Sequence, residues 1–387
     1  MERVEIDLAI IGGGVTGLAT AYKALEAMPG KSVAVFEKNL FLAEEQSGRN
    51  SGVVHGGIYY RTGSKKAVNC VEGNRELYSF CPKNDIAIAQ TGKVIVATNL
   101  EEKRLIKDLL EKGRRNNVQG LEIITAEEVR HFEPNVNALC ALYSPTTGII
   151  DAAGYVKTLD KLVKKRGGMI FTDATVEAIS PVEDRATLWV RQSGEEYDVI
   201  ANYVVNAAGL HADTIGKMIN PQFPYQLQGW KGEYMIFNSQ SRTELAMRGL
   251  NVYPTPKIIE GLFDEQGNHK ITLGTHLTPR FEYNAEGVAQ IGKTLLVGPK
   301  GYLLDGTIRK PLRRSDFVED LKRIYPHLRS SDLQKEMVGI QVKVVGYDNF
   351  VLEKDRRFPY CIHAIADSPG LTASLANAEE IVGLMKR

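Results

Sequence analysis

Residues 47–64 form the segment of the chain whose side chains are best suited to chemistry. They read SGRNSGVVHGGIYYRTGS and combine glycines, small hydroxyls, an arginine, a histidine and paired tyrosines. Glycines let the backbone approach a flat or charged ligand closely, and His55 is of the side-chain type that most readily exchanges a proton near neutral pH. A solvated linker would have no need of the apolar side chains of Val53, Val54 and Ile58. The segment is therefore predicted to bind a ligand and to act on it.

The polar start of this segment suits a cofactor that carries phosphate groups. Serine hydroxyls and an arginine guanidinium can donate hydrogen bonds to phosphate oxygens. The residues expected to contact the cofactor here are Ser47, Arg49, Asn50, Ser51 and Gly52.

A glycine-rich turn near the N-terminus has the spacing Gly12-x-Gly14-x-x-Gly17. It follows an apolar run at 7–11, which is predicted to be a buried parallel strand. It precedes an alanine-rich amphipathic stretch at 18–28, which is predicted to be a helix. The three glycines allow a tight turn, close approach of backbone to a pyrophosphate, and close packing of helix on strand. The pattern therefore predicts a dinucleotide-binding βαβ unit, with phosphate at the helix N-terminus.

A second predicted strand, 32–37, completes this unit and ends in Glu37. That carboxylate is placed to accept hydrogen bonds from the ribose of an adenine nucleotide. The small residues of the later run VVNAAG, 204–209, would also permit close approach to a nucleotide. Further cofactor contacts are expected from Val15, Thr16, Lys38, Val176, Ala208 and Gly209.

A late segment, 367–374, favours a flavin over a nicotinamide cofactor. It reads DSPGLTAS and leads into a helix predicted over 372–385. Amides at the start of such a helix can stabilise negative charge on the pyrimidine end of a reduced flavin. A nicotinamide dehydrogenase would need neither this segment nor residues 47–64. Flavin contacts are expected from Gly370, Leu371 and Thr372.

The composition of the 387-residue chain excludes other classes of function. A formal net charge of +1 provides no basic field for nucleic acid. The four cysteines are scattered without a CxxC pair, which argues against a zinc site or a disulfide framework and fits a cytoplasmic location. We therefore expect no bound metal. No apolar run approaches the roughly 20 residues that span a bilayer, so peripheral contact is the form of membrane association that stays open.

Several motifs together resemble the D-amino-acid oxidase superfamily of flavoproteins, over nearly the whole chain. They are the N-terminal fingerprint, SGRNSGVVHGGIYYRTGSKKAVNCVEGN, EEVRHFEPNV, GIIDAAGYV, VVNAAG and SPGLTASLA. Within that superfamily, HGGIYYxxGSxKA, GTHLTPR and LLVGPKGY are most similar to the L-2-hydroxyglutarate oxidases and dehydrogenases. The resemblance implies an oxidoreductase with non-covalently bound FAD.

The expected fold class is α/β, or α+β overall, in two discontinuous domains. A Rossmann-like FAD-binding domain is predicted from residues 1–90, 150–222 and 345–387. The pattern changes elsewhere to strands rich in aromatic residues, interrupted by proline and glycine. A mixed-sheet substrate domain is therefore predicted from residues 91–149 and 223–344, inserted into the first domain.

The resemblance implies oxidation of the C2 hydroxyl of a dicarboxylic 2-hydroxy acid, with hydride transfer to flavin N5. This chemistry needs a base for the hydroxyl proton, partners for two carboxylates and a pocket that excludes water. His55 is one candidate for the base, and a hydrogen bond to the flavin is its alternative role. His276, in GTHLTPR, is the second candidate, and a satisfied core histidine is its alternative. Substrate contacts are expected from Tyr59, Tyr60, Tyr253, Lys231, Arg280, Gln341 and Lys343, with plain packing as the alternative for the tyrosines.

Two positions depart from the patterns of these families. Related flavoenzymes carry arginine at the position of Gln341, and in amine-oxidising relatives that arginine binds the substrate carboxylate. Glutamine cannot form the charged bidentate pair, so Lys343, two residues along on the same strand face, is the expected source of charge. Lys300 stands in GPKG where the hydroxyglutarate enzymes tend to have GPNA.

These departures leave alternatives to the hydroxyglutarate assignment. Within the superfamily they are an oxidase of glycine or sarcosine type and a glycerol 3-phosphate dehydrogenase. A non-catalytic FAD-binding subunit is an alternative of a different class. The sequence specifies neither the oligomeric state nor the electron acceptor, which is oxygen, a quinone or a carrier flavoprotein.

Overall fold

The computed structural model describes residues 3–307 and 309–386, and it describes only the backbone at 260–262. Residues 1, 2, 308 and 387, which the predicted domain segments include, lie outside the described residues. Within the described part of the chain, no helix has the length and apolar character needed to cross a membrane. The mixed α/β architecture expected from the sequence is confirmed.

The strands are β1 (Arg3–Ile11), β2 (Val33–Phe36), β3 (Val53–Val54), β4 (Ile88–Ala89), β5 (Lys93–Ala97), β6 (Glu122–Thr125), β7 (Cys140–Ser144), β8 (Gly148–Ile150), β9 (Met169–Phe171), β10 (Ala174–Val182), β11 (Arg185–Gln192), β12 (Glu195–Asn206), β13 (Leu227–Asn238), β14 (Asn251–Pro254), β15 (Lys257–Phe263), β16 (His269–Thr272), β17 (Leu277–Tyr283), β18 (Ala289–Leu303), β19 (Leu333–Val344), β20 (Val351–Lys354) and β21 (Cys361–Ile365). The α-helices are α1 (Val15–Ala27), α2 (Lys65–Lys83), α3 (Leu100–Arg115), α4 (Ala126–Phe132), α5 (Ala152–Lys165), α6 (Ala212–Ile219), α7 (Arg314–Leu321) and α8 (Ser374–Met385).

The first large sheet has the order β10-β11-β12-β1-β2-β9, with β21 on β12 and β20 on β21. Its centre is parallel: β1 pairs with β2 and with β12, and β12 pairs with β21. Leu8 to Ile11 are buried in this centre, as expected for a parallel strand covered on both faces. Helix α1 packs its small residues Ala21 and Ala24 against the same core. The predicted βαβ unit is present.

Strand β12 joins two parts of the chain that each have a strand-like sequence, 197–200 and 203–209. The structure has one strand, Glu195–Asn206, because its pairing with β1 runs without a register shift from Asp198 to Asn206. The continuous ladder with β1 extends the strand through Asn202.

The second large sheet has the order β19-β13-β18-β17-β14-β5-β7-β6. Its pairs are antiparallel except for β5 with β14. Its strands come from residues 93–144 and 227–344. The exact domain boundaries stay a prediction. Strand β5 is buried along its whole length, because Val94 and Val96 pack in one core cluster and Ile95 and Ala97 in another.

Side-chain caps explain where several helices begin. Ser64, Asn99 and Asp151 each accept a hydrogen bond from the backbone three residues on, at the starts of α2, α3 and α5. A capping box formed by Thr125 and Glu128 begins α4.

Helix α8 begins at Ser374, two residues later than predicted. Thr372 is instead engaged with the neighbouring segment. Its hydroxyl accepts from the His55 amide at 3.0 Å and donates to the Val53 carbonyl at 3.3 Å. Because β3 pairs with β8 just before His55, the histidine follows directly from an anchored strand.

Candidate active site

The candidate active site is a cavity of about 340 Å³, within the ~300–1,000 Å³ range usual for small-molecule sites. Its walls come from both parts of the fold. They include the start of α1, residues between 46 and 60, strands β13 and β19, and the turn before β17. Parts of the segment 366–371 and of the hairpin β15–β16 complete the lining.

The glycine turn before α1 has no room for side chains. A Cβ on Gly17 would lie 2.0 Å from the Gly12 carbonyl oxygen. Gly12 has a φ of +115°, and a Cβ there would lie 2.4 Å from the Ala207 carbonyl oxygen. The turn therefore requires glycine at both positions, as expected for a pyrophosphate site.

The positive end of α1 opens into this cavity. Val15 and Thr16, its first residues, line the cavity. The N-cap residue is Gly14, which has no side chain that could cap the helix. The Ser47 hydroxyl accepts a hydrogen bond from the Val15 amide at 3.0 Å. Amides and dipole at such a helix start favour a phosphate group. The site therefore fits the pyrophosphate of a dinucleotide.

The structure brings many of the predicted cofactor residues to this cavity. Those that line it are Val15, Thr16, Ser47, Arg49, Asn50, Ser51, Gly370 and Leu371. Gly52, with a φ of +67°, turns the chain between Ser51 and β3. Thr372 lies behind the lining, where it holds the His55 backbone.

Other predicted cofactor residues lie outside the lining. The Glu37 carboxylate accepts hydrogen bonds from the amides of Gly13 at 2.7 Å and Asn39 at 2.9 Å, so it fixes the glycine turn. The Lys38 ammonium turns away to pair with Glu45 at 2.5 Å. Three more residues lie away from the cavity in or beside the core of the first sheet: Val176, Ala208 and Gly209.

Two predicted carboxylate partners are not brought to the cavity. Arg280 is exposed and pairs with Glu336. It lies four residues beyond His276, about 13 Å along an extended chain at roughly 3.3 Å per residue. Lys231 pairs with Glu233 at 2.9 Å, near the Tyr302 ring. Both cations are satisfied by neighbours outside the cavity, so we correct the expectation that they bind substrate.

The departure at Lys300 also lies outside the lining. Lys300 donates to Asp320 on α7 at 2.8 Å, and the same carboxylate oxygen accepts from the Thr275 hydroxyl at 2.6 Å. Lys300 thereby supports the residue next to His276. Gln341, the other departure, does line the cavity.

Lys343 lines the cavity as expected, but it already has an anionic partner. One Asp367 oxygen pairs with Lys343 at 2.8 Å, and the other pairs with Lys66 at 2.8 Å. Burial opposes ionisation of Asp367, but the two ammonium groups outweigh it and hold the pKa of this carboxyl below its usual value. The sequence reasoning missed Lys66 and Asp367, since their neighbourhood depends on contacts between distant segments.

His276 is held in one tautomer beside the cavity. Its Nδ1 lies 3.0 Å from the Gly274 carbonyl oxygen, which can only accept, so Nδ1 carries the proton. Nε2 therefore has a free lone pair, and it is buried without a hydrogen-bond partner. Burial lowers the pKa of His276 to about 3; the Gly274 carbonyl opposes this shift, and Lys93 adds to it. The ring is a neutral acceptor at neutral pH.

His55 also lines the cavity with an unpartnered ring nitrogen, its Nδ1. Its backbone is fixed: the amide donates to Thr372, and the carbonyl accepts from Asn74 Nδ2 at 3.0 Å. Burial, followed by the charge of Lys93 and the neighbouring His276, lowers the pKa of His55 to about 3. The two candidate histidines are therefore neutral together at one site.

The predicted tyrosines surround the same space. Tyr59, Tyr60 and Tyr253 all line the cavity. The hydroxyls of Tyr59 and Tyr253 are buried without hydrogen-bond partners, an arrangement that costs free energy unless a ligand satisfies them. Packing alone does not account for two such hydroxyls side by side with two unpartnered histidine nitrogens.

The sequence reasoning also missed Lys93, whose side chain is only 1% exposed. Its Nζ lies 4.7 Å from the centre of the Tyr59 ring and 4.8 Å from that of Tyr253. Burial lowers the pKa of Lys93 to about 7. A lysine at the start of the apolar run KVIVA is ordinarily exposed, so the local sequence offers no signal for this burial.

Comparisons with known proteins agree with this site. Residues 7–384 match the family described as DAO, FAD dependent oxidoreductase. The L-2-hydroxyglutarate dehydrogenase of Indibacter alkaliphilus is 29% identical over 399 residues, which cover 96% of this chain and 97% of that protein. The mitochondrial L-2-hydroxyglutarate dehydrogenase of Bos taurus is 34% identical over 415 residues, which cover 96% of this chain and 86% of that protein.

A solved structure shares the fold. Dithionite-reduced L-α-glycerophosphate oxidase from Mycoplasma pneumoniae, with FAD bound, has a TM-score of 0.84 at 24% identity and covers 100% of this chain and 96% of that one. The glycine turn, the open start of α1 and the lining from 46 to 53 suit the same cofactor. This chain therefore belongs to the DAO family of FAD-dependent oxidoreductases and is an FAD-dependent enzyme.

Proposed function

We propose that this protein oxidises L-2-hydroxyglutarate, or a closely similar 2-hydroxy dicarboxylate, to the 2-oxo acid. The observation that carries the proposal is the cluster of four unpartnered polar atoms beside a buried ammonium. The atoms are His55 Nδ1, His276 Nε2, Tyr59 Oη and Tyr253 Oη. Such a cluster offers proton acceptors for a hydroxyl and donors for a carboxylate in one place. The names of the relatives from Indibacter alkaliphilus and Bos taurus support the choice of substrate.

FAD, when bound, supplies the acceptor for the hydride that leaves C2. The remaining requirement is a base for the hydroxyl proton, and we assign it to His276. Its Nδ1–H is fixed on Gly274, so Nε2 is presented as an acceptor. The negative charge of a bound substrate favours the imidazolium form, and it therefore raises the pKa of His276 from its low value in the free site. With the hydroxyl proton on His276 Nε2 and the hydride lost from C2, the substrate carries a C2 ketone.

His55 contributes a second neutral ring at the same place. We assign it to hydrogen bonding with the reacting hydroxyl or the flavin, because no hydrogen bond of its ring fixes a tautomer in the described structure. The hydroxyls of Tyr59 and Tyr253 donate to a substrate carboxylate. The burial of this cluster excludes water from it, and this strengthens each of these polar contacts.

Gln341 cannot supply charge to a substrate carboxylate, so other groups must bind it. A neutral amide lines the cavity at the position where amine-oxidising relatives carry a carboxylate-binding arginine. A buried cation beside Tyr59 and Tyr253 is Lys93, on the different strand β5. The proposed substrate is therefore bound mainly by groups on β5 and β14, and the residues of β19 contribute less to its binding.

Anaerobic reduction of the bound flavin by a panel of compounds tests the substrate class. The panel contains L-2-hydroxyglutarate, glycine, sarcosine and glycerol 3-phosphate. Rapid bleaching by L-2-hydroxyglutarate alone supports the proposal. Bleaching by an amine or by glycerol 3-phosphate alone would assign the protein to that activity instead. Bleaching by none of them would favour a non-catalytic FAD-binding subunit.

The electron acceptor is tested separately, on the reduced enzyme. Consumption of oxygen at the rate of substrate turnover would make the protein an oxidase. Slow oxygen consumption with rapid reduction of a soluble quinone would make it a dehydrogenase. A cytoplasmic location, with or without peripheral membrane contact, is part of this proposal and is tested by fractionating cells.

A further inference from the structure

Lys93 is a buried cation that has no anionic partner among the residues that the structure describes. Its side chain is 1% exposed and belongs to β5, between Ser144 on β7 and Asn251 on β14. Within the described part of the chain, no carboxylate contributes to its charge state. The other buried lysine of the cavity region, Lys66, has Asp348 and Asp367 as partners. Lys93 therefore differs from Lys66 in having no carboxylate partner.

Two aromatic rings take the place of a carboxylate. The Nζ of Lys93 stands over Tyr59 at 4.7 Å and over Tyr253 at 4.8 Å from the ring centres. Contacts of this kind attract an ammonium through the negative ring faces, but they do not neutralise its charge. A buried charge without a counter-ion is unfavourable. An anion that enters the site would remove this penalty.

The position of Lys93 relative to the cavity defines how it can act. Tyr59 and Tyr253 line the cavity, whereas Lys93 is not part of the described lining. Its ammonium therefore lies over the faces of two rings that line the cavity and whose hydroxyls are unpartnered. It also lies close enough to His55 and His276 to disfavour the charged form of each. One ammonium thus acts on all four unpartnered groups of the cluster.

We propose that Lys93 is an electrostatic positioning residue that makes the site selective for an anionic substrate, by attracting the carboxylate that the Tyr59 and Tyr253 hydroxyls bind. The proposal rests on the proposed function for the identity of the substrate. It adds that the charge for the carboxylate comes from an ammonium over the faces of the tyrosine rings, on β5. In the free enzyme burial keeps both histidines neutral and the same charge adds to this effect, which a bound carboxylate offsets.

Binding should therefore be linked to uptake of a proton. In the free enzyme the pKa of Lys93 is about 7, so its ammonium is partly deprotonated above that pH. A bound anion favours the ammonium and raises this pKa. The titratable groups that face Lys93 are His55 and Tyr59 before α2, Cys70 on α2, Tyr253 on β14 and His276 before β17.

None of these neighbours titrates in the same range. The pKa values of the two histidines are about 3, so both rings stay neutral above about pH 5. Burial raises the pKa values of Cys70, Tyr59 and Tyr253 above their usual ranges, so these groups stay protonated. Proton uptake between about pH 7 and 9 therefore reports on Lys93.

The test uses glutarate, which has both carboxylates but no hydroxyl to oxidise. Its binding to the oxidised holoenzyme is measured from the flavin absorbance spectrum and by calorimetry. Calorimetry in two buffers of different ionisation enthalpy gives the number of protons taken up. We expect uptake at about pH 8, and an affinity that falls by up to about 10-fold per pH unit above pH 7.

Lys93→Met keeps the length of the side chain and removes its charge. We expect glutarate to bind this variant about 10-fold more weakly or worse at about pH 6, with no proton uptake at pH 8. Lys93→Arg keeps the charge at every pH and should bind glutarate with pH-independent affinity. Lys335→Met, an exposed lysine on β19, is the matched control and should behave as the wild type.

The inference would be overturned if the wild type bound glutarate with an affinity independent of pH, or if it failed to bind glutarate at about pH 6. These wild-type measurements hold even if Lys93→Met does not fold. Flavin reduction by L-2-hydroxyglutarate without proton uptake on glutarate binding would leave the proposed function standing and remove the role of Lys93. Proton uptake without such reduction would support Lys93 and refute the substrate.

Discussion

The imidazole of His276 lies parallel to the phenol ring of Tyr253, with ring centres 3.8 Å apart and planes inclined by 15°. The pairing of Val252 with Leu277 places the two rings side by side on β14 and just before β17. With Nδ1 bonded to Gly274, this stacking fixes both the tautomer and the plane of the ring. A proton acceptor is thus oriented by the protein before any substrate arrives.

We predict that His276→Gln lowers the rate at which substrate reduces the flavin by about 10²- to 10⁴-fold, the usual contribution of a general base. The flavin content should not change, because His276 is not part of the glycine turn. His327→Gln, at an exposed histidine, is the control and should reduce flavin at the wild-type rate. Stopped-flow measurement of anaerobic reduction checks this. A rate in His276→Gln equal to that of the control would exclude the base assignment.

His55→Ala should also purify with flavin and lose most of its rate of flavin reduction. The variant lacks a ring that borders the reacting hydroxyl or the flavin, so the substrate is positioned less well. The base, His276, is still in place. We therefore expect a smaller loss than in His276→Gln. A larger loss in His55→Ala would exchange the two assignments, and an unchanged rate would refute any catalytic role for His55.

The two histidines should make the folded protein sensitive to acid. Their pKa values are about 3 when folded, against 6.5 for an ordinary histidine, so the unfolded chain binds more protons between these values. The free energy of unfolding should therefore fall as the pH decreases from about 6.5 toward 3. Urea unfolding at about pH 7 and pH 5 measures this. His276→Gln should lose less stability over that interval, and an equal loss would contradict the low pKa of His276.

Gly17→Ala should abolish binding of FAD or folding itself. The added Cβ would lie 2.0 Å from the Gly12 carbonyl oxygen, which no flexible side chain can relieve. Gly383→Ala, in α8, is the matched control because its Cβ would meet nothing within 4 Å. That change should raise the free energy of unfolding by up to about 1 kcal/mol. Flavin content after purification checks the pair, and a flavin-replete Gly17→Ala would contradict the packing of the turn.

Asp367→Asn should destabilise the protein and loosen segment 367–374, in which flavin contacts are expected. It leaves the buried Lys66 and the cavity-lining Lys343 without the carboxylate they share. Loss of one partner from a buried pair costs about 3–5 kcal/mol. Asp305→Asn, in an exposed pair with Arg309, should change stability far less. Denaturant unfolding of both variants tests this, and equal effects would show that the buried triad is not stabilising.

The fold could be predicted from the sequence because the residue patterns that indicate it are local. The turn from Gly12 to Gly17 lies between an apolar strand and an alanine-rich helix. Both are present, but the strand begins at Arg3 instead of 7 and the helix at Val15 instead of 18. The cap at Thr125 is equally local. By contrast, the merging of 197–206 into one strand depends on its pairing with β1, which lies almost 200 residues away.

The candidate site was predictable only in part. His55 and His276 carry the marks of functional residues in short motifs, and the structure brings them together. Lys93 carries no such mark, because its burial depends on packing against Tyr59 and Tyr253, which belong to other segments of the chain. Arg280 has the right charge in the right motif, but its position along β17 takes it to Glu336. Side-chain type indicates chemistry, and only the assembled sheet decides which side chains share a cavity.

Anaerobic titration of the purified holoenzyme with L-2-hydroxyglutarate tests the central claim most directly, with 2-oxoglutarate assayed in the same sample. We predict full bleaching of the flavin and about one 2-oxoglutarate formed per flavin reduced, since each reduction takes one hydride. A flavin that stays oxidised with this substrate, and is bleached by an amine or by glycerol 3-phosphate, would contradict it.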